Sequence, residues 1–132
     1  FTPRSLERLV SVQDEAGRIF CGTVEENLFV AQEQKEAAAR LLKEMGFEKE
    51  LTSIVTAGGE NLSPGERKKM ILVRALMRPA AYLILDEPFN HLDEQGKTIL
   101  IRQLQKRGRG ILLVLHKEEA LGDLEWESWR LS

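Results

Sequence analysis

The chain has 132 residues, 42% of them hydrophobic and 30% charged, with a formal net charge of −2 at pH 7. This length fits one modest domain or part of a larger one, and the near-balanced charge gives no electrostatic reason to expect nucleic acid or an anionic membrane surface as a partner. The single Cys21 excludes an internal disulfide and suits a reducing cytoplasm, and no apolar run approaches the ~20 residues needed to cross a bilayer.

The first part of the chain predicts one strand followed by helices. The strand covers residues 9–12 and ends at a polar residue, Gln13. A short helix is predicted after Thr23 and a longer one over residues 33–45, which stops at a glycine. The charges of the longer helix are typical of a solvated face.

An apolar helix is predicted after the pentad Leu-Ser-Pro-Gly-Glu at residues 62–66. The serine and glutamate have capping-box spacing and the proline sits at the first helical position, so a helix start explains most of the pentad. It does not explain Gly65, whereas close approach of the backbone to an anion would, because a helix N-terminus offers free N–H groups and a favourable dipole. Lys68 and Lys69 are interpreted as part of a solvated helix face.

A strand over residues 82–85 runs into Asp86-Glu87-Pro88. A continuous apolar run of this kind is typical of a strand covered on both faces of a parallel sheet, and such sheets place ligands beyond the carboxyl ends of their strands. There Asp86 can hold Mg²⁺ and Glu87 can polarise a water. The alternative is that the two carboxylates cap a helix that follows Pro88.

The last part of the chain predicts a helix over residues 94–106 and a strand over residues 110–115 that ends at His116. A short helix from Lys117 and a strand near residues 126–131 follow.

Three predicted strands thus each deliver polar residues at their carboxyl ends: Gln13, Asp86 with Glu87, and His116. Taken singly, Gln13 and His116 are explained as ordinary loop and boundary residues. A parallel sheet places all three strand ends along one edge, which favours a site.

The order of these motifs resembles that of the ABC-type ATPases, and the chain looks like an ABC transporter nucleotide-binding domain. The resemblance rests on Gln13, the pentad at residues 62–66, Asp86-Glu87-Pro88, Asn90-His91-Leu92-Asp93 and His116. It implies an α/β fold: a partial P-loop NTPase (RecA-like) parallel-sheet core with the ABC-type helical subdomain inserted. By this resemblance residues 1–13 lead to the Q-loop, residues 14–77 form the helical subdomain, and residues 78–132 return to the core.

The resemblance also implies a role for each matching residue, with ATP and Mg²⁺ as cofactors. Gln13 is similar to the Q-loop glutamine, which touches Mg²⁺ and the attacking water, and Asp86 to the Walker B aspartate, which holds Mg²⁺. Glu87 is similar to the catalytic glutamate and His116 to the switch histidine. The remaining ATP contacts implied are the D-loop aspartate and the signature residues, here Asp93, Leu62, Ser63, Gly65 and Glu66.

Two segments resemble the exporter subtype. Residues 18–28 are similar to the segment that follows the Q-loop in exporters, and residues 56–61 to the one before the signature, with Ala57 where many exporters carry an acidic residue. The signature departs from the family's commonest form, because Pro64 removes a backbone donor and Glu66 replaces a neutral amide. We therefore expect its contact with ATP on the opposite subunit to be kept but weakened.

The family's phosphate loop, Gly-x-x-x-x-Gly-Lys-Ser/Thr, is expected upstream of Gln13, but the residues before it include neither glycine nor lysine. Gly96-Lys97-Thr98 does not qualify, because His91 stands where the first glycine is required. We therefore expect a partial domain that is inactive on its own.

The expected function is that of an ATP-hydrolysing domain of an ABC exporter, at the cytoplasmic face of the cell membrane. Its expected partners are a second nucleotide-binding domain and transmembrane domains, and not nucleic acid. One alternative is a soluble ABC-type ATPase acting on DNA or ribosomes, for which a coiled-coil insertion or a basic surface would be expected. The other is a non-catalytic binding fragment, which the missing phosphate loop favours for the chain in isolation.

Overall fold

The computed structural model describes residues 9–13, 18–108 and 110–116. Within these ranges the strands are β1 (Val10–Val12), β2 (Gly22–Thr23), β3 (Ile54–Val55), β4 (Tyr82–Asp86) and β5 (Ile111–Val114), and the α-helices are α1 (Lys35–Glu44), α2 (Pro64–Met77) and α3 (Glu94–Arg107). Short 3₁₀ turns cover Glu26–Leu28, Gln32–Gln34 and Ala57–Gly59. The helix predicted from Lys117 and the strand predicted near residues 126–131 lie outside the described residues.

The strands β1, β4 and β5 form a parallel sheet in the order β1-β4-β5, with β4 in the centre. The register pairs Val12 with Ile84, and Asp86 with Val114. The carboxyl ends of the three strands therefore lie side by side, as the apolar runs with polar ends predict. A serine hydroxyl ties the sheet to α2, because Ser11 Oγ donates a 2.8 Å hydrogen bond to the carbonyl oxygen of Ala75.

The two faces of this sheet differ in burial. Leu83 and Leu85 are fully buried and belong to one hydrophobic core with side chains of α2 and α3. Tyr82 is 56% exposed and Leu112 is 55% exposed. The expectation that the central strand is covered on both faces is therefore wrong for the described part of the chain, because the helices found there pack on the Leu83 and Leu85 face.

The described residues between β1 and β4 contain α1, α2, the 3₁₀ turns and the strands β2 and β3. The longer predicted helix begins as the 3₁₀ turn Gln32–Gln34 and continues as α1, which buries Ala38, Leu41 and Leu42. The helix predicted after Thr23 is only a 3₁₀ turn, and β2 and β3 pair antiparallel beside it.

A side-chain amide and a guanidinium of α3 tie this helix to neighbouring elements by donating to backbone carbonyls. Gln95 Nε2 donates to the carbonyl oxygen of Glu44 at 2.9 Å, at the end of α1. Arg107 donates to the carbonyl oxygen of Ala80 at 2.6 Å, at the entrance to β4. None of the helices in the described ranges is both long and apolar enough to span a membrane.

Candidate functional site

A polar cleft of about 220 Å³ lies at the carboxyl ends of β4 and β5. Its lining residues are Lys68, Asp86, Glu87, Asn90, His91 and His116. Two carboxylates, a lysine and two imidazoles thus face a single cleft beyond the sheet, which is where ligands of parallel α/β sheets bind. The prediction that the ends of the second and third strands meet is confirmed.

Glu87 is held in an unusual backbone conformation directly after β4, with φ of +48°. Its amide donates to the carbonyl oxygen of Val114 at 2.8 Å, which extends the β4–β5 ladder by one residue. Its carboxylate oxygen Oε1 accepts a hydrogen bond from the amide of His116 and lies 3.7 Å from His116 Nε2. The Glu87 side chain is only 13% exposed, so its carboxylate is held at the base of the cleft.

No helix begins directly after Pro88, since residues 88–91 form turns. The next helix is α3, and its N-cap is Asp93, whose Oδ1 accepts a 2.8 Å hydrogen bond from the amide of Gly96. The alternative that Asp86 and Glu87 cap a helix is therefore wrong. Neither carboxylate caps a helix here.

Asp86 is the last residue of β4, and it is exposed in the cleft. A carboxylate oxygen is a ligand type that Mg²⁺ accepts, and Mg²⁺ commonly takes only one or two protein carboxylates together with substrate phosphates. Among the described residues, no three His, Cys, Asp or Glu side chains cluster as a metal cage. The donor set here therefore fits Mg²⁺ held jointly with a phosphate ligand.

Gln13 lies at the carboxyl end of β1, next to β4. Its backbone amide donates to the carbonyl oxygen of Ile84 at 2.9 Å, and the residue is only 4% exposed. It lies on the same edge of the sheet as the two carboxylates, but it is not one of the described residues that line the cleft.

The pentad at residues 62–66 forms a complete capping box at the start of α2. Ser63 Oγ accepts from the amide of Glu66 at 3.0 Å, and Glu66 Oε1 accepts from the amide of Ser63 at 2.8 Å. Pro64 occupies the first turn as predicted, and Leu62 is half-buried against the core. The Glu66 carboxylate is thus engaged by its own helix.

Gly65 has a structural reason that the sequence did not reveal. A Cβ at this position would lie 3.0 Å from the carbonyl oxygen of His91. The first turn of α2 therefore packs directly on the loop between β4 and α3, and this close approach favours a glycine. An approaching anion is not needed to explain Gly65.

The interpretation of Lys68 and Lys69 as solvated is wrong: they are 2% and 6% exposed. They belong to an almost continuous buried stretch of α2 that runs to Val73, so the helix has little solvated face there. Lys68 lines the cleft, and Lys69 Nζ lies 3.2 Å from Asp93 Oδ2. In the sequence, only the apolar residues of α2 next to the two lysines indicate this burial.

Asp93 joins three elements electrostatically. The hydrogen bond from the amide of Gly96 lowers the pKa of Asp93 most, burial opposes this, and Lys69 lowers the pKa further. The carboxylate is thus stabilised in its charged form where the loop after β4 meets α2 and α3.

The segment at residues 18–28 is organised by a buried asparagine. Asn27 Oδ1 accepts from the amide of Phe20 at 2.9 Å, and Asn27 Nδ2 donates to the carbonyl oxygens of Phe20 and Thr23 at 2.9 and 3.0 Å. Arg74 of α2 donates to the carbonyl oxygen of Asn27 at 2.6 Å and lies 4.3 Å above the Phe29 ring. This segment is therefore tied to α2, while Phe20 and Phe29 remain more than half exposed.

The sequence is similar to those of known transport proteins. A family model described as ABC transporter matches residues 2–90. The chain is 30% identical over 126 residues to the glutathione/L-cysteine transport system ATP-binding/permease protein CydC of Escherichia coli (strain K12), covering 89% of this chain and 22% of that protein. It is 32% identical over 129 residues to the ATP-dependent lipid A-core flippase of Blochmanniella floridana, covering 89% of this chain and 22% of that protein.

The fold is similar to that of a bacterial Atm1-family ABC exporter solved with ATP bound. The TM-score is 0.74 at 18% sequence identity, and the match covers 88% of this chain and 22% of that one. The chain thus spans about a fifth of the length of these proteins, and it matches part of their α/β nucleotide-binding fold.

Proposed function

The chain belongs to the ABC transporter family, and from this membership we propose that it is part of the ATP-hydrolysing domain of an exporter. The single observation that carries the proposal is the placement of Glu87. Its carboxylate lies at the base of a polar cleft, at the carboxyl end of the central parallel strand, and is held by the amide of His116. A carboxylate fixed in this way suits the orientation of an attacking water.

In the proposed reaction a water oxygen attacks the γ-phosphorus of ATP, and the bond from that phosphorus to the β–γ bridging oxygen breaks. ADP leaves, and the proton of the water passes to Glu87. His116 would contact the γ-phosphate from the end of β5, beside Glu87. Catalysis of this type is mainly positioning and neutralisation of charge.

Asp86 and Gln13 are the residues that would hold Mg²⁺, since Asp86 ends β4 and Gln13 follows β1 at the same sheet edge. When bound, Mg²⁺ neutralises charge that develops on the phosphates. Asp86 is exposed in the cleft beside Glu87, so the residue that would hold the metal and the residue that would orient the water line the same cleft.

The signature residues Leu62, Ser63, Gly65 and Glu66 would act on ATP bound to a second nucleotide-binding domain, with Asp93 near the same interface. The N-terminus of α2 offers a favourable dipole for this anion. Glu66, however, places a carboxylate next to Ser63, at 2.8 Å from its amide. Because of this negative charge, we expect the contact with ATP on the opposite subunit to be weaker than it would be with a neutral amide side chain at this position.

Two observations support a role in transport: the names of the relatives, and an exposed aromatic surface formed by Phe20 and Phe29. The names of the relatives describe an ATP-binding/permease protein and a flippase. Phe20 and Phe29 expose more than half of their surface next to each other, with ring centroids 5.7 Å apart. We assign the expected partners accordingly: transmembrane domains, a second nucleotide-binding domain and no nucleic acid, at the cytoplasmic face of the membrane.

Purified protein that contains this chain in its complete domain tests the proposal. We expect ATP hydrolysis that depends on Mg²⁺ and stops when a chelator removes it. A complete domain that binds ATP but does not hydrolyse it would support the non-catalytic alternative instead.

A polypeptide of residues 1–132 alone is proposed to bind ATP weakly and to hydrolyse it negligibly. The sequence contains no lysine-bearing phosphate loop to neutralise the β- and γ-phosphates. Calorimetric titration of this polypeptide with Mg²⁺ and ATP checks the expectation. Stoichiometric binding with a micromolar dissociation constant would contradict it.

A further inference from the structure

Lys69 is a charged residue in the interior of the molecule. It lies in the second turn of α2 and is 6% exposed. Burial of an ammonium group is costly unless the group is paired. Its partner is Asp93, with Nζ 3.2 Å from Oδ2. The pair is asymmetric, because the Lys69 side chain is 8% exposed and the Asp93 side chain is 58% exposed.

Asp93 is fixed from its other side as well. Its second oxygen, Oδ1, accepts the 2.8 Å hydrogen bond from the amide of Gly96 that caps α3. The carboxylate therefore uses one oxygen for α3 and the other for α2. An exposed ion pair usually contributes little to stability, but this one bridges two helices through a carboxylate that already has a fixed orientation.

A second contact lies one helical turn earlier on the same face of α2. Gly65 and Lys69 are four residues apart and so lie above one another. Gly65 packs on the carbonyl oxygen of His91, where a Cβ would be 3.0 Å away. The loop from Glu87 to Asp93 is thus fixed to the first two turns of α2 at two points.

We propose that Lys69 is a positioning residue whose ion pair with Asp93 fixes the loop carrying Glu87 to the N-terminal turn of α2 carrying Ser63. This inference rests on the proposed function. In that function Glu87 serves the ATP of its own subunit and Ser63 serves the ATP of the opposite subunit. The Lys69–Asp93 pair then makes these two groups move together, so that closure on one ATP aligns the residues that act on the other.

The test uses the complete protein and three variants. Lys69→Met keeps an unbranched side chain of similar length but removes the charge. Asp93→Asn keeps an effective N-cap for α3 and removes only the charge that Lys69 contacts. Lys69→Arg restores a cation. We measure kcat and KM for ATP separately, together with the melting temperature of each variant.

We expect Lys69→Met to lower kcat roughly tenfold with little change in KM, because alignment in the closed dimer and not the initial binding of ATP is lost. Lys69→Arg should recover most of that loss. Asp93→Asn should also lower kcat, and the double variant Lys69→Met with Asp93→Asn should be no slower than the worse single variant, since both changes remove the same interaction.

Arg40→Met is the matched control, because it breaks an exposed ion pair in α1, 3.3 Å from Arg40 to Glu36. It should leave kcat unchanged.

The inference is overturned if Lys69→Met lowers the melting temperature while kcat per folded molecule stays within about twofold of wild type, or if the two single losses multiply in the double variant. If Lys69→Met does not fold, the melting temperature and the kcat per folded molecule of Asp93→Asn and Lys69→Arg decide between the two outcomes. Absence of hydrolysis by the wild-type protein overturns the proposed function, and the inference with it.

Discussion

The amide of His116 donates a hydrogen bond to Glu87 Oε1, although the two residues are 29 positions apart in the chain. The parallel register between β4 and β5 causes this contact, because it pairs Asp86 with Val114 and so brings the two strand ends level. A carboxylate and an imidazole from two different strand ends become neighbours through sheet topology. The site is thus built from strand ends and not from one contiguous motif.

The first prediction separates two roles of Ser63. Ser63→Ala removes the acceptor of the 3.0 Å hydrogen bond from Glu66 N and should cost about 1 kcal/mol of stability. Ser63→Asp can still cap the helix. If Ser63 faces a phosphate of the opposite subunit, the aspartate variant should impair ATP-dependent dimerisation more than alanine, because it adds negative charge against the anion.

The measurement is dimerisation of the complete domain with ATP, set beside the melting temperature of each variant. Dimerisation of Ser63→Asp at the level of the wild-type protein would reduce Ser63 to a helix cap.

The second prediction concerns Gly65→Ala. Alanine normally stabilises a helical position relative to glycine by roughly 0.5–1 kcal/mol. Here its Cβ would lie 3.0 Å from the backbone oxygen of His91, which cannot turn away as a side chain can. We expect a net loss of about 1–3 kcal/mol in the free energy of unfolding, typical of overpacking.

Denaturant titration of Gly65→Ala and of a control, Gly22→Ala, checks this. The added Cβ in the control would meet Glu26 Oε1 at an ordinary 3.4 Å, so its unfolding midpoint should stay close to that of wild type. A Gly65→Ala protein more stable than wild type would contradict the prediction, because it would show that the loop carrying His91 can move away from the added Cβ at little cost.

The third prediction is a pH dependence carried by Asp93. The hydrogen bond from the amide of Gly96 lowers the pKa of Asp93 in the folded state, and Lys69 adds to this. The ionised carboxylate therefore stabilises the folded state above the pKa of the unfolded chain, and that stabilisation is lost as the pH falls through the folded pKa. The effect should be modest and weaker in salt, because the Asp93 side chain is 58% exposed.

Asp93→Asn keeps the cap and removes the titration. The stability advantage of wild type over Asp93→Asn should shrink as the pH falls through the ordinary aspartate pKa of 3.8 and then through the lowered pKa of the folded state. Parallel stability curves of the two proteins across this range would contradict the prediction.

Local patterns predicted the three strands of the parallel sheet and the start of α2, but they did not predict β2 and β3. The apolar runs with polar ends gave the parallel strands and their shared edge, because burial and strand direction are encoded along each run. The spacing of Ser63 and Glu66 predicted a capping box whose reciprocal hydrogen bonds are present in the structure.

What sequence patterns missed depends on packing between distant segments. Lys68 and Lys69 look like solvated charges until the loop after β4 and its Asp93 are placed beside α2. From the sequence alone, Gly65 is explained by close approach of an anion to the backbone, whereas the structure places the carbonyl oxygen of His91 against it. The partners of Lys69 and of Gly65 each lie more than twenty residues away, so neither propensity nor periodicity can report them.

The most direct test of the account is the rate of ATP hydrolysis by the complete protein carrying Glu87→Gln. The glutamine Oε1 can still accept the hydrogen bond from the amide of His116, so the loop geometry is kept while the base and its charge are removed. Glu48→Gln, which changes an exposed carboxylate after α1, is the control. The account predicts that Glu87→Gln lowers hydrolysis by roughly 10²-fold or more, with ATP-bound dimers accumulating, and that the control is unchanged. Turnover of Glu87→Gln at the wild-type rate would contradict the assignment of Glu87 as the catalytic base.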